Sequence, residues 1–355
     1  VPFGLGAVKP HHYLEMLRIL WRNRGRWRYA WRILTRGVCD GCALGTSGLS
    51  DWTIAGTHLC MVRLELLRLN TMGALDPDLL GDAKALRTKS SRDLRALGRL
   101  PFPMRRRRGE KGFQRISFEE LWTEVGMRWR GFDPRRTSMF VTSRGVTNEV
   151  YYVAQKVMRY LGSNHVDNSA RLCHSPSTSG LKSTIGVAAT TCSYTDWFDA
   201  DLIVFLGSNP ANDQPVTTKY LYEARRRGAR VLSVNAYREP GLERYWIPSN
   251  ADSALFGTKL CDRTFLVRVG GDLAFLNAVQ KVLVANGSVA SDFVRAATNG
   301  YEALVRELDA QPMESLLAAC GLPLDEVEAF AREIAAAERG VLVWSMGVTQ
   351  HQGGG

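Results

Sequence analysis

The apolar and polar positions change rhythm twice along the chain. Over residues 9 to 36, Arg interleaves with Trp and Leu (LRILWRNRGRWRYAWRILTR), a pattern that predicts a basic amphipathic helix interrupted at Gly25. Residues 37 to 100 read as a turn region containing Cys and Gly, followed by short helical pieces rich in Leu and Arg. From Ser117 onward strand and helix signals alternate. Phe118 to Arg130 and Asn148 to Leu161 carry apolar residues at helical spacing, with a short apolar strand at Thr137 to Thr142 between them. After a loop holding Cys173 and His174, a helix is expected at Thr178 to Gly186. Asp201 to Leu206 (DLIVFL) and Arg230 to Asn235 (RVLSVN) read as buried strands on either side of a helix at Val216 to Arg227. Further helices are expected at 272 to 286, around 301 to 308 and at 324 to 337, with Gly340 to Trp344 (GVLVW) as a last strand. Strands that alternate with helices and read as continuous apolar runs imply an α/β fold, a parallel sheet covered on both faces.

Composition adds limits. The chain has 355 residues, enough for two or three domains, and a formal charge of +11. That excess lies near the start: residues 1 to 110 hold 20 Lys/Arg against 9 Asp/Glu, and the remainder holds 26 of each. Arg105 to Arg108 form a basic run that reads as an exposed loop, with phosphate or nucleic-acid contact as the sharper alternative. For the Arg/Trp helix the alternatives to packing on its own protein are a partner, RNA or a membrane surface. No apolar run approaches the roughly 18 to 20 residues that span a bilayer, and no secretory signal is visible, so a cytoplasmic protein is expected. Seven cysteines, unevenly placed, do not make a disulfide scaffold. Val1 and the closing Gly353 to Gly355 do not look like natural termini, which suggests part of a longer polypeptide.

Two regions bring chemistry into view. Asp201 to Leu206 ends in GSNPANDQP, a helix follows, and Arg230 to Asn235 ends in NAYREPGLER. In doubly wound sheets ligands sit beyond the carboxyl ends of strands, where Gly admits close backbone approach and helix N-termini offer N–H groups to phosphate. No G-x-G-x-x-G is present, which disfavours an ordinary NAD site, and polar turns on an α/β domain would look much the same. The second region is Cys39, Cys42 and Cys60. C-x-x-C lets two thiolates of one turn grip a metal centre, with thioredoxin-like redox chemistry or zinc as competitors.

The order of motifs is more specific than any one of them. The cluster cysteines, PMRRRRGEKGFQRISFEEL, SRGVTNEV, RLCHSPS, DLIVFLGSNPANDQP and SMGVTQ follow one another as in the molybdopterin oxidoreductases. The chain resembles that family from about Gly37 to Gln350, and within it the formate dehydrogenase-like alpha (catalytic) subunits. The resemblance implies the formate dehydrogenase/DMSO reductase-like α/β fold: a small N-terminal iron-sulfur domain and doubly wound parallel-sheet dinucleotide-binding domains. It places an N-terminal extension at 1–36, the iron-sulfur domain at 37–100, the first part of a molybdopterin-binding domain at 101–168, and the guanine dinucleotide-binding domain at 169–355. Family catalytic subunits continue beyond this point with further cofactor-closing parts.

By the same resemblance Cys173 binds molybdenum (or tungsten) carried by a bis-molybdopterin guanine dinucleotide, and His174 takes part in the chemistry as a proton acceptor. A metal-binding thiolate is helped by positive charge and a helix start, for which Arg171 and the turn at Ser175–Pro176 are the candidates; an isolated Cys would otherwise be an inert buried thiol. Arg144, Gly145 and Asn148 would contact the pterin. Gly207, Asn209 and Asn212 would face pyrophosphate or pterin, and Asn235 and Arg238 the guanosine end. Gly270, Gly271 and Asp272, and Ser345 to Gln350 with Met346 and Gly347, match positions lining the cofactor. Cys39, Cys42 and Cys60 would hold an iron-sulfur cluster, 4Fe-4S, or 3Fe-4S because Thr46 stands where the family usually has a third cysteine. His58 or Asp51 are alternative fourth ligands. The family's bridging Lys is replaced by Val62, with Arg63 adjacent. Cys192, Cys261 and Cys320 are expected to be structural. The activity implied is a two-electron oxidation or reduction of a small substrate, formate or one of similar size, with electrons leaving through the cluster to a partner protein. The rivals are a non-catalytic or cluster-deficient relative and a basic nucleic-acid-binding protein; neither nucleic acid nor a membrane span is expected for the enzyme.

Overall fold

The computed structural model describes residues 13–36, 50, 53–57, 71–142 and 146–354. These fall into two compact units, one holding 13–18, 50, 53–57 and 170–354, the other 19–36 and the described part of 71–169.

In the larger unit, four parallel strands form one sheet: β3 (Leu202–Leu206), β4 (Arg230–Asn235), β5 (Arg263–Leu266) and β6 (Gly340–Trp344), in the spatial order β5-β4-β3-β6. β3 is central and every one of its residues is buried, which is why LIVFL reads as an unbroken apolar run. Alternate residues serve opposite faces. Ile203, Phe205 and Val231 pack against Tyr220, Leu221 and Ala224 of helix α6 (Thr217–Arg226), together with Trp197 and Tyr245. Leu202, Val204, Leu206, Leu232, Val234 and Phe265 face a second core. That core is closed by α7 (Asp272–Ala285), α8 (Met313–Cys320) and α9 (Leu324–Ala336). Phe265, Phe275 and Phe330 meet there with ring centroids 5.0 to 6.2 Å apart. Burying each such side chain stabilises the unit by about 1.5–3 kcal/mol, so the sheet is held mainly by these two faces. Cys261 and Cys320 belong to the cores as expected, whereas Cys192 is exposed.

Two carboxylates fasten the sheet where apolar packing ends. Asp201 accepts from the Glu338 and Arg339 amides (3.0 and 2.9 Å) and from the Arg339 guanidinium (3.1 Å), tying the start of β6 to β3. Asp262, just before β5, accepts two bonds from Arg225 of α6 (2.6 and 2.9 Å) and one from the Val231 amide of β4 (2.8 Å). Lys219 of α6 is buried at 5% exposure and donates to the carbonyls of Ala55 (3.2 Å) and Thr57 (2.8 Å), while Tyr220 bonds the Thr53 hydroxyl. The 53–57 segment is thereby pinned to α6.

In the smaller unit a capping box at Ser117 and Glu120 starts α3 (Phe118–Arg130). Strands β1 (Met139–Val141) and β2 (Val166–Asn168) pair in parallel across helix α4 (Asn148–Tyr160). The basic run is drawn into local bonds: Arg105 and Arg107 reach Glu124 (3.0 and 4.0 Å), and Arg106 donates to the Glu110 carbonyl (3.0 Å). The N-terminal pattern resolves into α1 (Tyr13–Arg22) and α2 (Trp27–Arg36), separated close to Gly25.

One expectation falls outside the described residues and a second meets a different outcome. No iron-sulfur domain is evident among the described residues, and none of them form a group of three or more His, Cys, Asp or Glu able to hold a metal. Cys39, Cys42 and Cys60, with Thr46, Asp51, His58, Val62 and Arg63, lie outside the described residues. Second, Cys173 and His174 are not in a loop: helix α5 runs from Ala170 to Ile185, with Pro176 inside it. Pro176 removes only the bond to the Leu172 carbonyl, on a residue 78% exposed where water can replace it. β5 and α8 are additional elements that the pattern did not predict.

The Asp262 anchor has a pH signature. Burial raises its carboxyl, but the hydrogen bonds from Arg225 and the Val231 amide outweigh that and hold it below the usual carboxylate range. A depressed folded value adds stability above the ordinary range that is lost as pH falls through the folded value. Asp262→Asn is expected to cost roughly 1.5–3 kcal/mol at pH 7 and little once acid has neutralised the native carboxyl. Urea unfolding across that range checks it; an equal loss at both ends contradicts it.

Candidate active site at the carboxyl ends of the strands

Because all four strands run parallel, the loops after them emerge on one edge of the sheet. The chain places β3, β4 and β5 outward in one direction and then returns to lay β6 on the other side of β3. Between the ends of β3 and β6 the order reverses, and such a switch point is where open α/β sheets leave a ligand-binding crevice.

Two glycines bring the backbones together there. Gly207 follows β3 at φ +58°, a left-handed conformation that favours glycine, and its amide donates to the Val234 carbonyl (2.9 Å). Gly347 lies just beyond β6, and a Cβ placed on it would stand 2.1 Å from the Gly207 carbonyl oxygen. No side chain fits either position without separating the loops.

Cys173 is delivered to this point by α5. The helix packs on α10 (Met346–Thr349): Gln350 Nε2 donates to the Cys173 carbonyl (3.0 Å), and the Ser177 and Thr349 hydroxyls pair at 2.8 Å. Cys173 is half-buried and points its thiol at the Met346 thioether, Sγ to Sδ 2.6 Å. The site therefore presents two soft sulfurs beside the Gly207–Gly347 backbone contact. Cys173 lies in the first turn of α5. His174 and Arg171 are exposed on the same turn.

The neighbouring loops supply a polar rim. Asn209 caps the turn after β3, accepting from the Asn212 amide (3.3 Å), and its Nδ2 donates to Glu239 Oε2 (2.6 Å), which joins the loops after β3 and β4. Burial, aided by repulsion from Asp213, pushes the Glu239 carboxyl upward. Asn212 is exposed, Asn235 ends β4 half-buried, and exposed Arg238 lies 3.7 Å from Glu243. After β5, Gly271 is required by packing rather than by a ligand, since a Cβ there would meet Cys320 Cα at 2.9 Å. Asp272 opens α7 with its carboxyl raised by burial, partly countered by His351. Sequence reasoning gave no role to Ser177, Glu239 or His351, whose partners are distant in the chain. Asn148 is exposed at the start of α4 in the smaller unit; Arg144 and Gly145 lie outside the described residues.

The residues fit a soft-metal cofactor in one respect: a sulfur donor stands half-exposed at the switch point, beside the Gly207–Gly347 backbone contact. Gly347→Ala is expected to force the β3 and β6 loops apart and cost about 1–3 kcal/mol in thermal or urea unfolding. A variant as stable as the parent would show that the two backbones do not meet.

Comparison with known proteins agrees with this architecture. The pattern of the family described as Molybdopterin oxidoreductase matches residues 99–355. Protein YdeP of Escherichia coli (strain K12) is 29% identical over 283 residues, 76% of this chain and 37% of YdeP. Formate dehydrogenase H of the same organism is 30% identical over 258 residues, 71% of this chain and 34% of that protein. Among solved structures, acetylene hydratase from Pelobacter acetylenicus matches with a TM-score of 0.59 at 16% identity, over 88% of this chain and 39% of that one. The chain thus spans little more than a third of the length of these relatives. Its matched residues make up most of the sequence, and the chain belongs to the molybdopterin oxidoreductase family.

Proposed function

We propose that this chain is the cofactor-binding part of a molybdopterin-dependent oxidoreductase of the formate dehydrogenase type. The observation that carries the reading is the half-exposed Cys173 thiol at the β3–β6 switch point, beside the Gly207–Gly347 contact. The chemistry supplied by a bound bis-molybdopterin guanine dinucleotide is two-electron exchange with a small substrate, formate or one of similar size.

Each residue has a definite task. Cys173 would hold the molybdenum through its sulfur, and His174 would take up the proton released from the substrate. Gly207 and Gly347 hold the loops after β3 and β6 in backbone contact beside it. Asn209, Asn212, Met346 and Gln350 line its pterin and pyrophosphate, while Asn235 and Arg238 address the guanosine end. Gly271 shapes the loop that carries Asp272, and Arg171 adds positive charge beside the thiolate. By the family resemblance, Arg144, Gly145 and Asn148 would be assigned to the pterin as well. Cys39, Cys42 and Cys60 hold an iron-sulfur cluster, 4Fe-4S or 3Fe-4S, through which electrons pass to a partner protein.

Support comes from two directions. The order of motifs follows the family, and one of the similar proteins is named a formate dehydrogenase. The fold by itself does not select redox chemistry, since a solved structure that shares it is named a hydratase. The test is metal analysis and formate-dependent dye reduction on the complete protein, purified without oxygen. Molybdenum or tungsten, iron and sulfide are expected, Cys173→Ala should abolish turnover, and His174→Ala should lower it about 100-fold. Full activity in Cys173→Ala would overturn the site. Metal with no formate turnover would remove formate as substrate.

A further inference from the structure

The Arg/Trp helices at the start of the chain have no place in the chemistry above, and they precede the residues matched by the family. Each carries an exposed apolar stripe. On α1, Leu14, Leu17 and Trp21 recur at helical spacing and are 39%, 55% and 67% exposed. On α2, Trp27 and Trp31 stand one turn apart and are 50% and 64% exposed. Tryptophan is highly buried on average, so three bared indoles in two short helices are unusual.

Other sides of both helices are in use, Ile19 lying opposite the α1 stripe and Ala30 beside the α2 stripe. Ile19 and Ala30 are 2% and 3% exposed, and the junction is fixed by Asn23, whose Nδ2 donates to the Ile19 carbonyl (2.8 Å), and by Arg26, which donates to the Thr71 carbonyl (2.8 Å). The stripes are therefore outward faces of anchored helices. They are flanked by cations: Arg18 and Arg22 border the α1 stripe, and Arg28 and Arg32 the α2 stripe. Residues 13–36 hold seven Arg and one acidic residue, Glu15.

Exposed indoles beside long basic arms match the chemistry of a bilayer interface. Indole rings settle at headgroup depth, guanidinium groups reach back to lipid phosphate, and each basic residue near an anionic surface contributes about 1 kcal/mol. Among the described residues no helix is long and apolar enough to cross a membrane, so the contact would be peripheral. We propose that α1 and α2 dock the protein on an anionic lipid surface, with Trp21, Trp27 and Trp31 inserted at the headgroup level.

The experiment uses the whole chain with vesicles of phosphatidylcholine, alone or mixed with phosphatidylglycerol. Co-sedimentation is expected with the anionic vesicles only, and acyl-chain bromination should quench the indole fluorescence on binding. The variant with Trp21, Trp27 and Trp31 changed to Ala, and a second with Arg18, Arg22, Arg28 and Arg32 changed to Glu, should each bind at least about tenfold more weakly. Circular dichroism confirms that both fold. Three results overturn the proposal: no binding to anionic vesicles at low salt, binding without quenching, or undiminished binding by either variant. Capture by an acidic protein in the absence of vesicle binding would assign the surface to a protein partner instead.

Discussion

The reversal of strand order beside β3 is the constraint on which the rest of the molecule depends. A parallel sheet sends all its loops to one edge, and only where neighbouring strands come from opposite directions of the winding do those loops part and leave a crevice. Here the two strands that border it end in Gly207 and Gly347, whose backbones touch. Cys173, Met346 and Gln350 are arranged beside that contact. α5 is laid across it by Gln350 and by the Ser177–Thr349 pair, and this brings Cys173 to the sulfur of Met346. The rim formed by Asn209 and Glu239 holds the next loop in register. The two hydrophobic cores and the carboxylates of Asp201 and Asp262 serve to keep the strand ends level, so that loops far apart in sequence meet at one place.

Much of this was legible beforehand, for physical reasons. Strands covered on both faces must be apolar throughout, so DLIVFL and RVLSVN announce themselves; β5 does not, because only Phe265 among its four residues is buried. Helices α3, α4, α7 and α9 follow from apolar spacing, and α3 also from its capping box. The start of α5 was hidden by Pro176 and a run of Ser and Thr, residues that ordinarily favour turns. Its helical state comes from docking on α10, a tertiary contact that local propensity does not contain.

The candidate site was legible as a set of positions and not as a set of contacts. The loops after the strands could be named from the sequence, but Glu239 becomes part of the site only through Asn209, thirty residues away. Gly271 illustrates the converse. It sits among positions expected to line the cofactor, yet it has no room for a side chain because Cys320 and Ala319 lie against it, which explains the glycine without a ligand. Lys219 carried no signal at all, being one cation in a basic chain until its burial against Ala55 and Thr57 is seen.

The central claim is that Cys173 Sγ is a ligand of the metal. X-ray absorption at the molybdenum edge of the complete protein, compared with its Cys173→Ser variant, tests this most directly. The account predicts that the variant loses one sulfur neighbour and gains an oxygen while the remaining sulfur shell is unchanged. Identical sulfur shells in the two proteins would contradict it.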